Sequence, residues 1–140
     1  MKKHIALIDY SSFADNKDHN LVLNELVDTL QSRQLKIYGL ITDKNKRKRT
    51  KVNKNVSGIM NFNEKDLKYD SYKFISRVML LTRCSNPKNY IVISANNNVI
   101  RTFENNGFET NIIYLTEEEN MIMLSNKEMK ELKKSTKKIR

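Results

Sequence analysis

The chain predicts a three-layer α/β/α sandwich on a mainly parallel sheet, and three observations point there. Short apolar runs rich in β-branched residues alternate with segments whose apolar residues recur at helical spacing. The clearest run, YIVIS at 90–94, stops at a row of amides, Asn96, Asn97 and Asn98. The first run, HIALID at 4–9, ends on Asp9. Open α/β sheets bind ligands outside the carboxyl ends of their strands, so polar side chains gathered there are placed for work.

Residues 4–9 read as a buried strand. Leu23, Leu26, Val27 and Leu30 then share one face of a helix that Asp18 or Asn20 could cap. LKIYGLIT at 35–42 is a second strand, and strand, helix and strand in this order make a right-handed βαβ unit. KNKRKRTKVNK at 44–54 contains no acidic residue; repulsion among its charges predicts a mobile loop in the free protein. VSGIMNF at 56–62 reads either as a short edge strand or as part of the same excursion.

Residues 64–83 give the longest helical signal, with Leu67, Phe74, Ile75, Val78 and Leu81 on one face, and Pro87 closes the connection that follows. After the strand at 90–94, a helix is expected at 97–106, burying Val99, Ile100 and Phe103. Gly107 stands where a helix C-terminal glycine belongs. NIIYL at 111–115 is a further strand, 117–120 a turn or helical start, and 121–124 is ambiguous. Residues 126–140 form a lysine-rich helix or tail. The expected organisation is one domain over 1–125, carrying a basic loop at 44–55, and then this basic C-terminal segment. A length of 140 residues supports one real core and not two ordinary domains.

The formal net charge of +10 and a pI near 9.7 favour a polyanionic partner, most often nucleic acid. A lysine-rich surface, or the Asn, Lys and Ile usage of an AT-rich coding sequence, would give a similar composition. No apolar stretch is long enough to span a bilayer. The charged start and short apolar run at the N-terminus could belong to a signal peptide, but the run breaks at Asp9 and lacks a convincing small-residue cleavage site, so it reads as a first strand and the chain as cytoplasmic. A single cysteine, Cys84, fits a reducing compartment and reads as a small packed thiol. The three glycines, Gly39, Gly58 and Gly107, form no phosphate-binding loop. One cysteine and two histidines make no zinc site, and no serine nucleophile elbow is present.

A set of carboxylates remains. Asp9 ends the first strand, and Glu64, Asp66 and Asp70 lie near the start of the long helix. Carboxylates converging at strand ends bind Mg²⁺ or Mn²⁺, and such a site can activate water against a phosphodiester. Acidic residues also serve any first helical turn by complementing its dipole.

In the order of these features the chain resembles the NYN and wider PIN-like nuclease domains. LIDYSSF at 7–13 resembles their opening strand, which ends in a metal-binding aspartate followed by small polar residues. KDLKYDSYKFISRVMLL at 65–81 resembles the helix that supplies a second acid. YIVISANNNVIRTFENNGFETNIIYL at 90–115 resembles their strand-helix-strand unit, whose strand is followed by serine-glycine-aspartate-x-aspartate. The resemblance spans roughly the first 115 residues in element order, and only these three short stretches in letters. It implies a PIN-like fold, Asp9 and Asp70 as catalytic residues, and a Mg²⁺ or Mn²⁺ held by Asp9, Asp70, Asn96 and Asn98. The chain departs from the pattern where Asn96 and Asn98 replace the aspartates and Ala95 the glycine. Amide oxygens can coordinate a cation but contribute no charge, so affinity for a divalent ion falls.

Basic residues would hold the substrate. Lys44, Lys46, Arg47, Lys48, Arg49, Lys51 and Lys54 in the loop can neutralise several phosphates. Lys133, Lys134, Lys137 and Lys138, with Arg140, form a second patch, which could equally be a solvated helix end. Tyr10 could stack on unpaired bases; Phe13 reads as core. Three functions follow: a metal-dependent ribonuclease, a non-catalytic nucleic-acid-binding module, RNA first, on the same fold, or an α/β adaptor that binds a protein partner.

Overall fold

Strands that are apolar on both faces need cover on both sides, and the helices supply it. The computed structural model describes residues 3–13, 17–44, 55–115 and 121–125. Its strands are β1 (Ile5–Asp9), β2 (Lys36–Thr42), β3 (Val56–Phe62), β4 (Tyr90–Ser94), β5 (Glu109–Leu115) and β6 (Met121–Ser125). Its helices are α1 (Lys17–Ser32), α2 (Glu64–Tyr69), α3 (Ser71–Thr82) and α4 (Asn97–Asn105), with 3₁₀ turns at Tyr10–Ser12 and Pro87–Asn89. One six-stranded sheet runs in the order β3-β2-β1-β4-β5-β6. The first five strands are parallel and β6 pairs antiparallel to β5. Residues 121–124 thus belong to a strand, and 56–62 is the edge strand rather than a loop excursion. The expectations for 45–54, 117–120 and 126–140 concern residues outside the described ones.

Every residue of β1 is buried, and its side chains alternate between two apolar clusters. Ile5 and Leu7 pack with Leu67, Phe74, Val78, Val99 and Phe103 from α2, α3 and α4. Ala6 and Ile8 pack with Leu23, Leu26, Val27 and Leu30 of α1. The sheet is therefore the middle of three layers. Strand order reverses between β1 and β4: the chain runs outward to β2 and β3 on one side and to β5 on the other. The connection from β1 leads to the α1 layer and that from β4 to the opposite layer, which opens a crevice at their carboxyl ends.

Local chemistry sets the boundaries. The helical stretch at 64–83 is two helices, because Asp70 takes φ −149° and ψ 47°, outside the helical region. The first is closed by a capping box in which the Asn63 side chain accepts from Lys65 N–H and the Asp66 carboxylate accepts from Asn63 N–H. Asp18 and Asn20 both lie inside a helix that begins at Lys17, so neither stands at the cap position of α1. Helix α4 ends as expected. Gly107 takes φ +85°, and the N–H groups of Phe108 and Gly107 reach back to the carbonyls of Phe103 and Glu104. The Tyr90 hydroxyl bonds Thr82 Oγ1 and the Cys84 carbonyl, tying the end of α3 to the start of β4. Burial pushes that phenol up to about 12. Cys84 is half-buried and packs against the same cluster, as a small thiol should.

Phe103 sits at the centre of the larger cluster, fully buried, with ring centroids 5.5 Å from Phe74 and 5.0 Å from Phe108. Phe103→Ala is expected to cost about 3–5 kcal/mol of stability, read as a lower urea midpoint with an unchanged slope.

Candidate functional site: a strand-end pocket built on Asp9

Asp9 is the last residue of β1, at the crevice, and has no exposed surface. A carboxylate without water must be met by donors. Ser11 N–H donates to its Oδ1 at 3.1 Å; the hydroxyls of Ser12 and Ser94 donate to its Oδ2 at 3.2 and 2.8 Å. The two serines use their lone pairs as well. Ser12 Oγ accepts from Ala95 N–H at 2.7 Å, and Ser94 Oγ from Asn96 N–H at 2.9 Å. Ser11 Oγ accepts from Thr42 N–H at 2.8 Å, which brings in the end of β2. One network thus fixes the carboxyl ends of β1, β2 and β4.

A cavity of about 280 Å³ opens above this floor, lined by Asp9, Ser11, Ser12, Thr42, Lys44, Glu64, Ala95 and Asn96. Asn96 is the N-cap of α4: its Oδ1 accepts from the N–H groups of Asn98 and Val99 at 2.9 and 3.4 Å. That fixes the amide orientation and turns its nitrogen outward, where it donates to Glu64 Oε1 at 3.3 Å. An aspartate at this position would cap equally well, but its second oxygen would face the Glu64 carboxylate, and that pair would call for a cation. The amide satisfies Glu64 by itself.

The other expected site residues separate. Asp70 is exposed at the junction of α2 and α3 and does not line the cavity; Glu64 is the acid that joins Asp9. The side chain of Asn98 lines a different cavity, between α2 and α4. Lys44 lines the Asp9 cavity, whereas Lys46, Arg47, Lys48, Arg49, Lys51, Lys54, Lys133, Lys134, Lys137 and Lys138 lie outside the described residues. Tyr10 and Phe13 are each 2 % exposed, so neither ring can stack on a base. The Tyr10 ring fits because Gly39 has no side chain; a Cβ there would stand 3.3 Å from it. Burial pushes the Tyr10 phenol up to about 12.

The donor set does not suit a tightly held divalent ion. Both Asp9 oxygens accept hydrogen bonds and the Asn96 carbonyl is spent on its cap. Among the described residues no three His, Cys, Asp or Glu side chains are grouped to hold a metal. Among the described residues, no helix is long and apolar enough to cross a membrane. The chain matches no protein-family model, no curated protein and no solved structure.

Asp9→Ala is expected to lower stability by about 2–4 kcal/mol, since it leaves two hydroxyls and an N–H without their acceptor. Ser12→Ala should cost about 1–2 kcal/mol, and the double variant less than the sum, because both act on one network. Urea unfolding of the three variants measures this coupling.

Proposed function

We propose that this chain is a nucleic-acid-binding domain, RNA first, of the PIN-like kind, whose strand-end pocket has lost most of its capacity for metal-dependent cleavage. The observation that carries the reading is Lys44 on the rim of the Asp9 pocket. The basic stretch at 44–54 therefore starts at the carboxyl edge of the sheet, where α/β proteins take their ligands. The net charge of +10 supplies the long-range attraction for a phosphate backbone.

The pocket supports binding over hydrolysis. In-line attack on a phosphodiester needs concentrated positive charge at the reacting oxygens, usually from metal ions held by several carboxylates. Here Asp9 is committed to its serines, and Asn96 neutralises the demand of Glu64 through a hydrogen bond. Fewer exposed carboxylates also repel a bound phosphate less, which favours retention of the strand.

A fluorescent single-stranded RNA titrated at 50–200 mM salt tests the reading. Replacing Lys46, Arg47, Lys48 and Arg49 together by Ala should weaken binding and reduce the salt slope by about 0.7 for each phosphate no longer neutralised. Binding unchanged in affinity and slope would remove the basic stretch from the contact surface, and a parent chain that binds no RNA would sink the reading. Recovery of a single protein partner after nuclease treatment, without RNA binding, would favour the adaptor.

Restoring charge tests the metal argument. Asn96→Asp keeps the cap and places a second carboxylate against Glu64. It should raise Mn²⁺ affinity at least tenfold by calorimetry, and Glu64→Gln in that background should abolish the gain. Glu64→Gln is also a cleaner probe of any cleavage than Asp9→Asn, because Asp9 holds the fold together at this edge.

A further inference from the structure

A second groove, of about 720 Å³, runs between α2 and α4 and shares Glu64 with the Asp9 pocket, so the two lie side by side. Its α4 wall is a polar stripe at helical spacing, Asn98, Arg101, Thr102 and Asn105. Its α2 wall presents Lys65, Lys68 and Tyr69. Three cations thus stand against one carboxylate, and among the described residues Lys65, Lys68 and Arg101 form no ion pair. The side-chain amides of Asn98 and Asn105 likewise make no hydrogen bond among the described residues. Tyr69 ends α2, where the helix breaks at Asp70, and is 75 % exposed, with the Lys68 ammonium 5.3 Å from its ring centre.

We infer that this groove is the path of a single-stranded nucleic acid, with an unpaired base stacked on Tyr69, phosphates on Lys68 and Arg101, and the strand leading toward the Asp9 pocket. The inference rests on the nucleic-acid reading above and names a surface separate from the basic stretch at 44–54. An exposed aromatic ring beside cations is what unpaired bases need, since every base has a face to stack and every nucleotide a phosphate to neutralise. Free amides at two turns of α4 add donors and acceptors for base edges without demanding one sequence. A duplex hides its base faces and would use the cations alone, so Tyr69 selects for single strands.

The test uses the full chain and labelled 12-mers of oligouridylate and oligothymidylate, with a duplex of equal length, read by anisotropy. Tyr69→Ala should weaken both single strands roughly 5- to 100-fold with the salt slope kept, Tyr69→Phe should bind like the parent, and the duplex should be indifferent. Arg101→Ala should weaken binding and reduce the slope by about 0.7. Lys88→Ala, an exposed lysine beside the amino end of β4, serves as the control and should change nothing. Parent-like binding by Tyr69→Ala and Arg101→Ala, while the 46–49 variant is weakened, overturns the groove and spares the nucleic-acid reading. Equal weakening by Lys88→Ala reduces the groove to unspecific charge and also overturns it. A parent that binds none of the three probes overturns both.

Discussion

A carboxylate has been taken wholly out of water at the carboxyl edge of this sheet, and much of the molecule is arranged to tolerate it. Asp9 has to be surrounded by donors, and those donors come from the 3₁₀ turn that follows it and from Ser94 at the end of β4. Each serine is held in turn by a backbone N–H: Ala95 for Ser12 and Thr42 for Ser11 from other segments, and Asn96 for Ser94 from two residues further along the same connection. Apolar packing joins the three layers elsewhere, but this edge is joined by satisfying one charge. An apolar contact tolerates small displacements; a shared hydrogen-bond network does not. The floor of the pocket is therefore fixed in position, while the groups that could act on a ligand, Glu64, Lys44 and the outer face of Asn96, stand around its rim.

The layered α/β architecture was legible because β1, β2 and β4 are buried on both faces and read as continuous apolar runs. The break at Asp70 was not. Leu67 and Phe74, seven residues apart, enter the same cluster, so the apolar stripe continues across two helices as it would along one. The burial of Tyr10 depends on Gly39 across the sheet making room for its ring, a long-range fact that no local pattern carries. The pairing of Glu64, rather than Asp70, with Asp9 follows from how α2 enters after its capping box and is equally non-local. Ser94 left a trace, a polar residue closing an apolar strand, and Ser12 another, three positions after Asp9. Their shared role emerges only when β1 and β4 lie side by side.

The amide at Asn96 stands at the meeting point of capping and site chemistry. Capping requires an oxygen facing the first turn of α4, and Asn and Asp provide it equally. The remaining atom is free to differ, and nitrogen there converts a repulsive neighbour of Glu64 into a bonded one. The same backbone can thus carry a charged or a neutral pocket. Comparing folds alone would not distinguish the two.

The walls of the α2–α4 groove differ in how firmly they are anchored. Helix α4 buries Val99, Ile100, Thr102 and Phe103, whereas α2 buries Leu67 alone and is separated from α3 by the break at Asp70. Displacing α2 by an ångström disturbs one core side chain; displacing α4 disturbs four. The groove is consequently compliant on one side and stiff on the other. Its width can adjust to what lies in it at the expense of Leu67's packing and of the Glu64 and Asp66 contacts to Asn96 and Arg77, with the sheet and the Asp9 network left in register.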